Sequence, residues 1–373
     1  MKKALKFALL LLLVGQLPFI YRVCQSRQLH TYSSQIPRQN GTGHPFQDLR
    51  GSLHIHSAAG SHSIGTYLDI IEAAEEASYD YVFITDHPKE YTLFNQIEDP
   101  GIVVIYGWEE ERPDVARNLR SQNNEVVIFS SYTQGPVPDD ATGIEVFNIA
   151  ENARPANGIM TWMTWLYHQP TYPDQFFFHL WQVDEERLRL WDETTAQRKL
   201  AAVAGNNAHQ NLGLILQTTS GERLLSVMVD PYVESFRFVT NHTLLPLGQE
   251  VSQESVLAAL RKGSSYIAFE GIADPTGFAF YAKRGDRLYT MGDEVPPETE
   301  LIFQAPVPSR FELIRAGETI EALEGSRFVF IAVDPGAYRV EVYPLEPPRL
   351  IKGKPWIISN PIYVQGEEEA EVR

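Results

Sequence analysis

The chain has 373 residues, of which 43% are hydrophobic, and a formal net charge of −17 from 48 acidic and 31 basic residues. This length and composition predict two folded domains, and the acidic balance argues against nucleic acid as a partner, although a bound metal would still allow a small anionic substrate. Cys24 is the single cysteine, so there is no disulfide framework or Cys-based zinc site, and any metal must be held by His, Asp or Glu.

Residues 1–24 are typical of an export signal. They start with a basic Met-Lys-Lys and continue into a leucine-rich run. No small-x-small cleavage site follows, and Arg22 stands where cleavage is expected, so a removed signal peptide and a retained membrane anchor both stay open. We expect the protein to be exported to the periplasm or another extracytoplasmic location, with membrane association through the N-terminus. The polar residues 25–47 are predicted to be a linker.

The next segment is predicted to begin an α/β domain. Strand 52–56 places His54 and His56 on one face, because alternate residues of a strand point to the same side. After a polar loop, Thr66 and Asp69 form a predicted capping box at the start of an amphipathic helix.

Three further apolar strands, at 80–85, 102–107 and 200–205, each run into polar residues. Those residues are, in chain order, Asp86, His87, Glu109, Asn207 and His209. The C-terminal ends of parallel strands share one edge of a sheet or barrel, so these side chains are expected to meet. Imidazoles and carboxylates are ligands that Zn, Mn and Fe favour. The sequence therefore predicts a site for one to three divalent metal ions.

From about residue 49 to 213 the motif order LHIHS, Ser61-His62, ITDH, Gly-Trp-Glu and a final strand before Asn-Ala-His resembles the polymerase and histidinol phosphatase (PHP) family of metal-dependent phosphoesterases. The resemblance implies a distorted seven-stranded β/α barrel at 48–230 with its metals at the C-terminal ends of the strands. It implies a metal-site set of His54, His56, His62, Asp86, His87, Glu109, Asn207 and His209. Glu109 would bridge two metals. Asp86, which would orient the ligands, and His209 are the predicted catalytic residues.

The chain departs from the family pattern at several positions. Asn207 stands where the family usually has Asp, so a charged ligand is replaced by a neutral one. A strand that normally carries a histidine offers Glu125, and an Ala-His-Pro strand is missing. His168, in an inserted aromatic segment, is a candidate replacement. We therefore expect fewer tightly held metals than the fullest members of the family bind.

The inserted segment contains Trp162, Trp165 and the aromatic run 176–178. Core packing is the favoured interpretation, and a lip that contacts substrate or membrane is the alternative.

Residues 231–365 change to short strands and turns, which predicts a mainly β, sandwich-like accessory domain without catalytic residues of its own. The predicted strands are 235–241, 265–270, 277–283, 301–305, 311–315, 328–333 and 337–343. One helix interrupts them, with Ser252 as its N-cap and Gly263 as its stop, and is expected to pack against the barrel. His242 is expected to be structural, and 366–373 form a predicted acidic tail.

The predicted function is a metal-dependent hydrolase, with phosphoesterase favoured, that uses a metal-activated water on a small anionic substrate. The alternatives are hydrolysis of carboxylester or carbamate bonds, and a degenerate barrel that binds a metal or ligand in the cell envelope without turnover. A third is an envelope interaction module in which the β domain does the binding. The sequence carries no indication of oligomeric state.

Overall fold

The structure is a computed structural model that describes residues 2–37, 44–60, 63–87, 101–112, 116–130, 136–211, 213–217, 223–228 and 230–366. It confirms a mixed α/β fold, in which a closed barrel of seven strands is followed by a largely β region.

The barrel strands pair in chain order and close back onto the first. They are β1 (Phe46–Ile55), β2 (Tyr81–Asp86), β3 (Val103–Arg112), β4 (Ala116–Ser121), β5 (Val127–Phe129), β6 (Gly143–Asn148) and β7 (Ala201–Ala208). Strand β4 is antiparallel to both neighbours, and the other pairings are parallel. The C-terminal ends of the parallel strands and the start of β4 therefore share one edge.

The described residues form seven α-helices. They are α1 (Lys2–Gln35), α2 (Tyr67–Glu76), α3 (Ile149–Ala153), α4 (Gly158–His168), α5 (Glu185–Thr195), α6 (Tyr232–Phe238) and α7 (Gln253–Lys262). Short 3-10 helices lie at Ala58–Gly60, Pro173–His179 and Arg349–Ile351, and β8 (Gly213–Gln217) pairs with β9 (Arg223–Met228). The predicted capping box of α2 is confirmed, because Thr66 Oγ1 accepts from the backbone of Asp69 and the Asp69 carboxylate accepts from the backbone of Thr66.

The C-terminal region continues the barrel sheet. Its strands are β10 (Thr240–Pro246), β11 (Ser265–Ala268), β12 (Ala279–Arg284), β13 (Arg287–Tyr289), β14 (Glu294–Val295), β15 (Thr299–Arg315), β16 (Glu318–Ala332), β17 (Gly336–Pro344), β18 (Ile357–Ser359) and β19 (Ile362–Val364). Strand β10 runs antiparallel along the first half of β1. Strand β15 pairs with β12 before a register shift and with β17 after it, so one bent strand serves both parts of this sheet.

Helix α7 closes the barrel at the end where the strands begin. It starts at the predicted cap Ser252 and ends at Gly263, whose φ of 80° is the left-handed conformation that glycine favours. Its Val256 and Leu257 belong to the same buried cluster as Leu53 and the other residues of the barrel interior. The predicted packing of this helix against the barrel is confirmed.

Three predicted elements differ in the structure. Residues 25–35 of the predicted linker are helical, because α1 continues to Gln35 and buries Leu29 in the main core. The predicted strand at 235–241 is wrong for most of its length: residues 232–238 form α6, whose Tyr232 and Phe236 lie one helical turn apart in the core beside α2. The two strands predicted at 301–305 and 311–315 are the single strand β15.

Candidate metal site

The end of β1 brings two histidines into the barrel mouth through a backbone irregularity. The pairing of β1 with both neighbours shifts register between Leu53 and Ile55, and His54 between them has a φ of 61°. A left-handed non-glycine residue costs about 1–3 kcal/mol and persists where the surroundings impose it. Both His54 and His56 are almost fully buried. The strand thus ends in a kink, and His54 and His56 lie in one cluster.

Glu109, on β3, lies at the centre of that cluster. Its Oε2 is 3.6 Å from Nε2 of His54, 3.4 Å from Nε2 of His56 and 3.6 Å from Nε2 of His87. Ligand atoms about 2.1 Å from a tetrahedral ion lie about 3.4 Å apart, so these separations fit a shared divalent ion. His54, His56 and Glu109 form a buried group that could hold a metal ion, and His87 stands beside it with its side chain 22% exposed.

The electrostatics of the cluster also fit a cation. Nε2 of His54 is buried and makes no hydrogen bond with a described residue. A buried polar atom of this kind is unfavourable unless it binds a metal ion or a proton. Burial opposes a charge on His54, but Glu145 and Glu109 outweigh it and raise the pKa of the ring to about 10. Burial opposes ionisation of Glu109, but His54, Arg117 and His87 lower its pKa to about 2. In the absence of metal, His54 therefore carries a proton beside an ionised Glu109.

A second carboxylate, Glu145 on β6, contacts His54 at Nδ1, the ring nitrogen that does not face Glu109. Nδ1 of His54 donates to Glu145 Oε1 at 2.7 Å, and Asn148 Nδ2 donates to Glu145 Oε2 at 3.0 Å. This contact leaves Nε2 as the metal-facing nitrogen and fixes the plane of the ring. A Cβ at Gly205 would lie 1.9 Å from Glu145 Oε1, so glycine is needed on the neighbouring strand β7.

The sequence analysis did not assign a role to Glu145 or Asn148. The signal was present, because Glu145 is an acidic residue at a fully buried position of an otherwise apolar strand. A buried carboxylate needs a charged or donating partner.

Asp86 ends β2 and holds the loop after β1. Its Oδ1 accepts from the backbone of Ser57 at 2.6 Å, and its Oδ2 accepts from the Ser57 hydroxyl at 2.6 Å and from the Tyr67 hydroxyl at 3.0 Å. Burial raises the pKa of Asp86, and the Ser57 contacts act in the opposite direction. These contacts tie Asp86 to the segment that carries His56.

Asn207 lies near the end of β7, and His209 follows the strand directly. The His209 ring stacks on His56 with centroids 4.3 Å apart, and its Nδ1 donates to the carbonyl of Asn207 at 2.9 Å. The Asn207 amide donates to Asn148 Oδ1 at 3.3 Å. Tyr232 OH donates to the carbonyl of His56 at 2.6 Å and so joins α6 to the site.

The remaining candidates lie elsewhere or at the rim. His62 is outside the described residues. Glu125 is exposed in the turn before β5, at the end of the barrel remote from the metal cluster. His168 is buried on α4, where its Nε2 bonds to Ser26 of α1 at 2.9 Å. Neither side chain therefore joins the cluster of His54, His56 and Glu109. Arg117, at the start of β4, places Nη1 3.6 Å from Glu109 Oε1, and its side chain is 43% exposed.

No protein family model and no curated protein match this chain. Among solved structures, it is similar to the crystal structure of a two-domain protein containing a predicted PHP-like metal-dependent phosphoesterase from Bacteroides vulgatus ATCC 8482. The similarity covers 88% of this chain and 97% of that one, with 12% sequence identity and a TM-score of 0.34, and is therefore distant.

Proposed function

We propose that this protein is a metal-dependent hydrolase that acts on small anionic esters, with phosphate esters as the favoured class. One observation carries the proposal: Glu109 Oε2 lies within 3.6 Å of three imidazole Nε2 atoms at the C-terminal mouth of a closed barrel. His54, His56 and Glu109 would hold a divalent ion such as Zn, Mn or Fe, with His87 at its outer side. Such an ion, when bound, makes a nucleophilic water available near neutral pH and stabilises negative charge on a substrate oxygen.

The surrounding residues prepare the site for this chemistry. Glu145 orients His54, and Asp86 anchors the loop beside His56, so the ligands are held before substrate arrives. We propose that His209, whose Nδ1 is engaged by a backbone carbonyl, uses its other nitrogen to hold substrate or transfer a proton to the leaving group.

The position of Arg117 supports the proposal that the substrate is anionic. It brings a guanidinium to the edge of the cluster, 3.6 Å from Glu109, in a chain whose net charge is −17. A guanidinium beside a bound metal ion would add positive charge at the entrance of a chain whose net charge is negative. Planar N–H donors of arginine match the oxygens of phosphate and carboxylate.

The test is metal content followed by turnover. The purified full chain is supplied with Mn, Zn and Fe in turn, and bound metal is measured by mass spectrometry for the parent, His54→Ala and Glu109→Ala. His242→Gln is the matched control, because His242 is equally buried but bonds to Asp48 and Glu270 outside the metal cluster. We expect metal in the parent and control and little in the two site variants. Equal metal in all four proteins would refute the site.

Bond class is then measured with p-nitrophenyl phosphate, bis-p-nitrophenyl phosphate and p-nitrophenyl acetate. Hydrolysis of a phosphate probe that is lost in Glu109→Ala is the expected result. Preference for the acetate would favour the carboxylester alternative.

A second candidate function is a barrel that binds metal or ligand without turnover. Asn207 favours it, because this neutral side chain hydrogen-bonds to Asn148 where the family resemblance implies a charged ligand. Stoichiometric metal without hydrolysis of any probe would select this candidate over the first.

A further inference from the structure

The first half of helix α1 is apolar and exposed, whereas its second half packs against the rest of the protein. Leu10, Leu11, Leu12 and Leu13 are each at least half exposed, whereas Ser26 and Leu29 are fully buried. Within the described residues, Leu5–Gln35 is long and apolar enough to cross a membrane, by length and composition. The exposed half needs an apolar environment that the rest of the described chain does not supply.

Contacts with the fold begin before the position at which a signal peptide would be removed. Phe19 stacks on Tyr167 of α4 with ring centroids 5.6 Å apart, and Arg22 donates to Thr164 Oγ1 at 2.6 Å. The backbone here is helical and packed against α4. Proteolytic cleavage favours poorly ordered chain, whereas this segment is a continuous helix with side-chain contacts to α4.

Ser26 fastens the second half of α1. Its hydroxyl bonds to Nε2 of His168 and to Nε2 of His179, both at 2.9 Å, and His168 Nδ1 donates to the carbonyl of Thr164 at 2.6 Å. His168 therefore accepts from the Ser26 hydroxyl, and His179 donates to it. Tyr32, two turns further on, donates to the carbonyl of Leu345 at 2.8 Å. The helix is thus tied to both the inserted segment and the C-terminal β region.

Helix α4 presents an unusual apolar face beside the end of the exposed run. Ile159 is 77% exposed, Trp162 54% and Leu166 44%, and their spacing places them on one side of the helix. Trp165 and Thr164, on the other side, are buried. The aromatic run Phe176–Phe178 is also buried, so the exposed apolar residues of the inserted segment described here lie on α4.

We propose that α1 is a retained membrane anchor and that the Ile159–Trp162–Leu166 face of α4 lies in the bilayer interface on the barrel side. Residues 5–21 rise about 26 Å as a helix, close to the roughly 30 Å of a bilayer's hydrocarbon core. Lys2 and Lys3 precede this span and favour its start on the cytoplasmic side, which leaves the barrel outside. Tryptophan is enriched at membrane interfaces, and Trp162 lies on the helix that contacts α1 where the span ends.

Retention of the anchor is tested by the intact mass of the protein extracted from the membranes of an expressing bacterium. The expected mass includes residues 1–24. A mature chain that begins after about Arg22 would overturn this part of the proposal.

The interfacial face is tested in the full chain with Cys24→Ser as background. One cysteine is introduced at Trp162 or at Leu247 and labelled with an environment-sensitive fluorophore, and the protein is reconstituted in phosphatidylcholine vesicles with and without headgroup-proximal spin-labelled lipid. Leu247 is the matched control, because its side chain is 67% exposed and it follows the C-terminal end of β10. An interfacial helix lies about 5–10 Å below the headgroup boundary, so quenching of about twofold is expected at 162 and none at 247.

Equal quenching at 162 and 247, or none at either, would refute the interfacial face. A blue-shifted label at 162 that spin-labelled lipid does not quench would mean that protein covers the face, and would also overturn the proposal. Thermal unfolding of each labelled protein shows that the fold is intact, and a label at Leu166 repeats the test if the Trp162 variant does not fold. The result is independent of metal content, so it stands or falls separately from the proposed hydrolase.

Discussion

The contact between Glu145 and His54 predicts that Glu145→Gln weakens metal binding without unfolding the barrel. The carboxylate accepts from His54 Nδ1 at 2.7 Å and from Asn148 Nδ2 at 3.0 Å. A glutamine amide has the same size but one acceptor and no charge, so it cannot serve both donors. Loss of a partner behind a metal-binding histidine typically costs about 10–100-fold in affinity, or about 1.4–2.7 kcal/mol.

The affinity is measured by competition with a chromophoric zinc chelator at constant pH. Glu110→Gln is the matched control, because Glu110 follows Glu109 on the same strand but pairs with Arg120 outside the metal cluster. We expect the control to bind zinc like the parent protein. If folded Glu145→Gln also binds zinc as tightly as the parent, Glu145 does not support His54 as a ligand and its proposed role is refuted.

Three further predictions concern charge. Arg117→Gln should raise KM for an anionic phosphate probe by about tenfold, with Arg120→Gln as the control that leaves KM unchanged, in steady-state kinetics. Since the pKa of His54 is about 10 without metal, binding must displace a proton, and zinc affinity should rise by about tenfold per pH unit from about pH 6 to 9 in calorimetric titrations. Burial opposes the charge on His242, but Asp48 outweighs it and raises the pKa to about 9. Its stabilisation should be full below about pH 6.5 and lost as pH rises through about 9, a change of the order of 3 kcal/mol that urea unfolding should show as an additional loss of stability in the parent compared with His242→Gln.

The sequence was informative where local patterning and final structure agree. The capping box at Thr66, the N-cap at Ser252 and the helix stop at Gly263 depend on neighbouring residues, and all are confirmed. The convergence of His54, His56 and Glu109 was also predictable, because parallel strands of a barrel deliver their C-terminal ends to one edge.

What the sequence did not reveal depends on contacts between distant segments. Arg117 reaches the site because β4 runs antiparallel and starts at the edge where its neighbours end, a reversal that no local pattern indicates. The role of Glu145 depends on the kink at His54 in another strand. Helical continuation of α1 past Cys24 is stabilised by Ser26 meeting two histidines more than 140 residues away, so the polar composition of that stretch was misleading.

Helix α7 and strand β10 affect when the barrel can fold, because both lie far along the chain from β1. The floor of the barrel is supplied by Val256 and Leu257, and the outer edge of β1 is covered by β10, although β1 itself begins at Phe46. Strand β1 therefore cannot complete its hydrogen bonds and its apolar packing until about 200 further residues have been synthesised. Contacts of such long sequence separation slow folding, since the loop between them must close first. A chain shortened at about residue 230 would expose Leu53 and Tyr81 at an open end, and we expect that such a chain does not fold on its own.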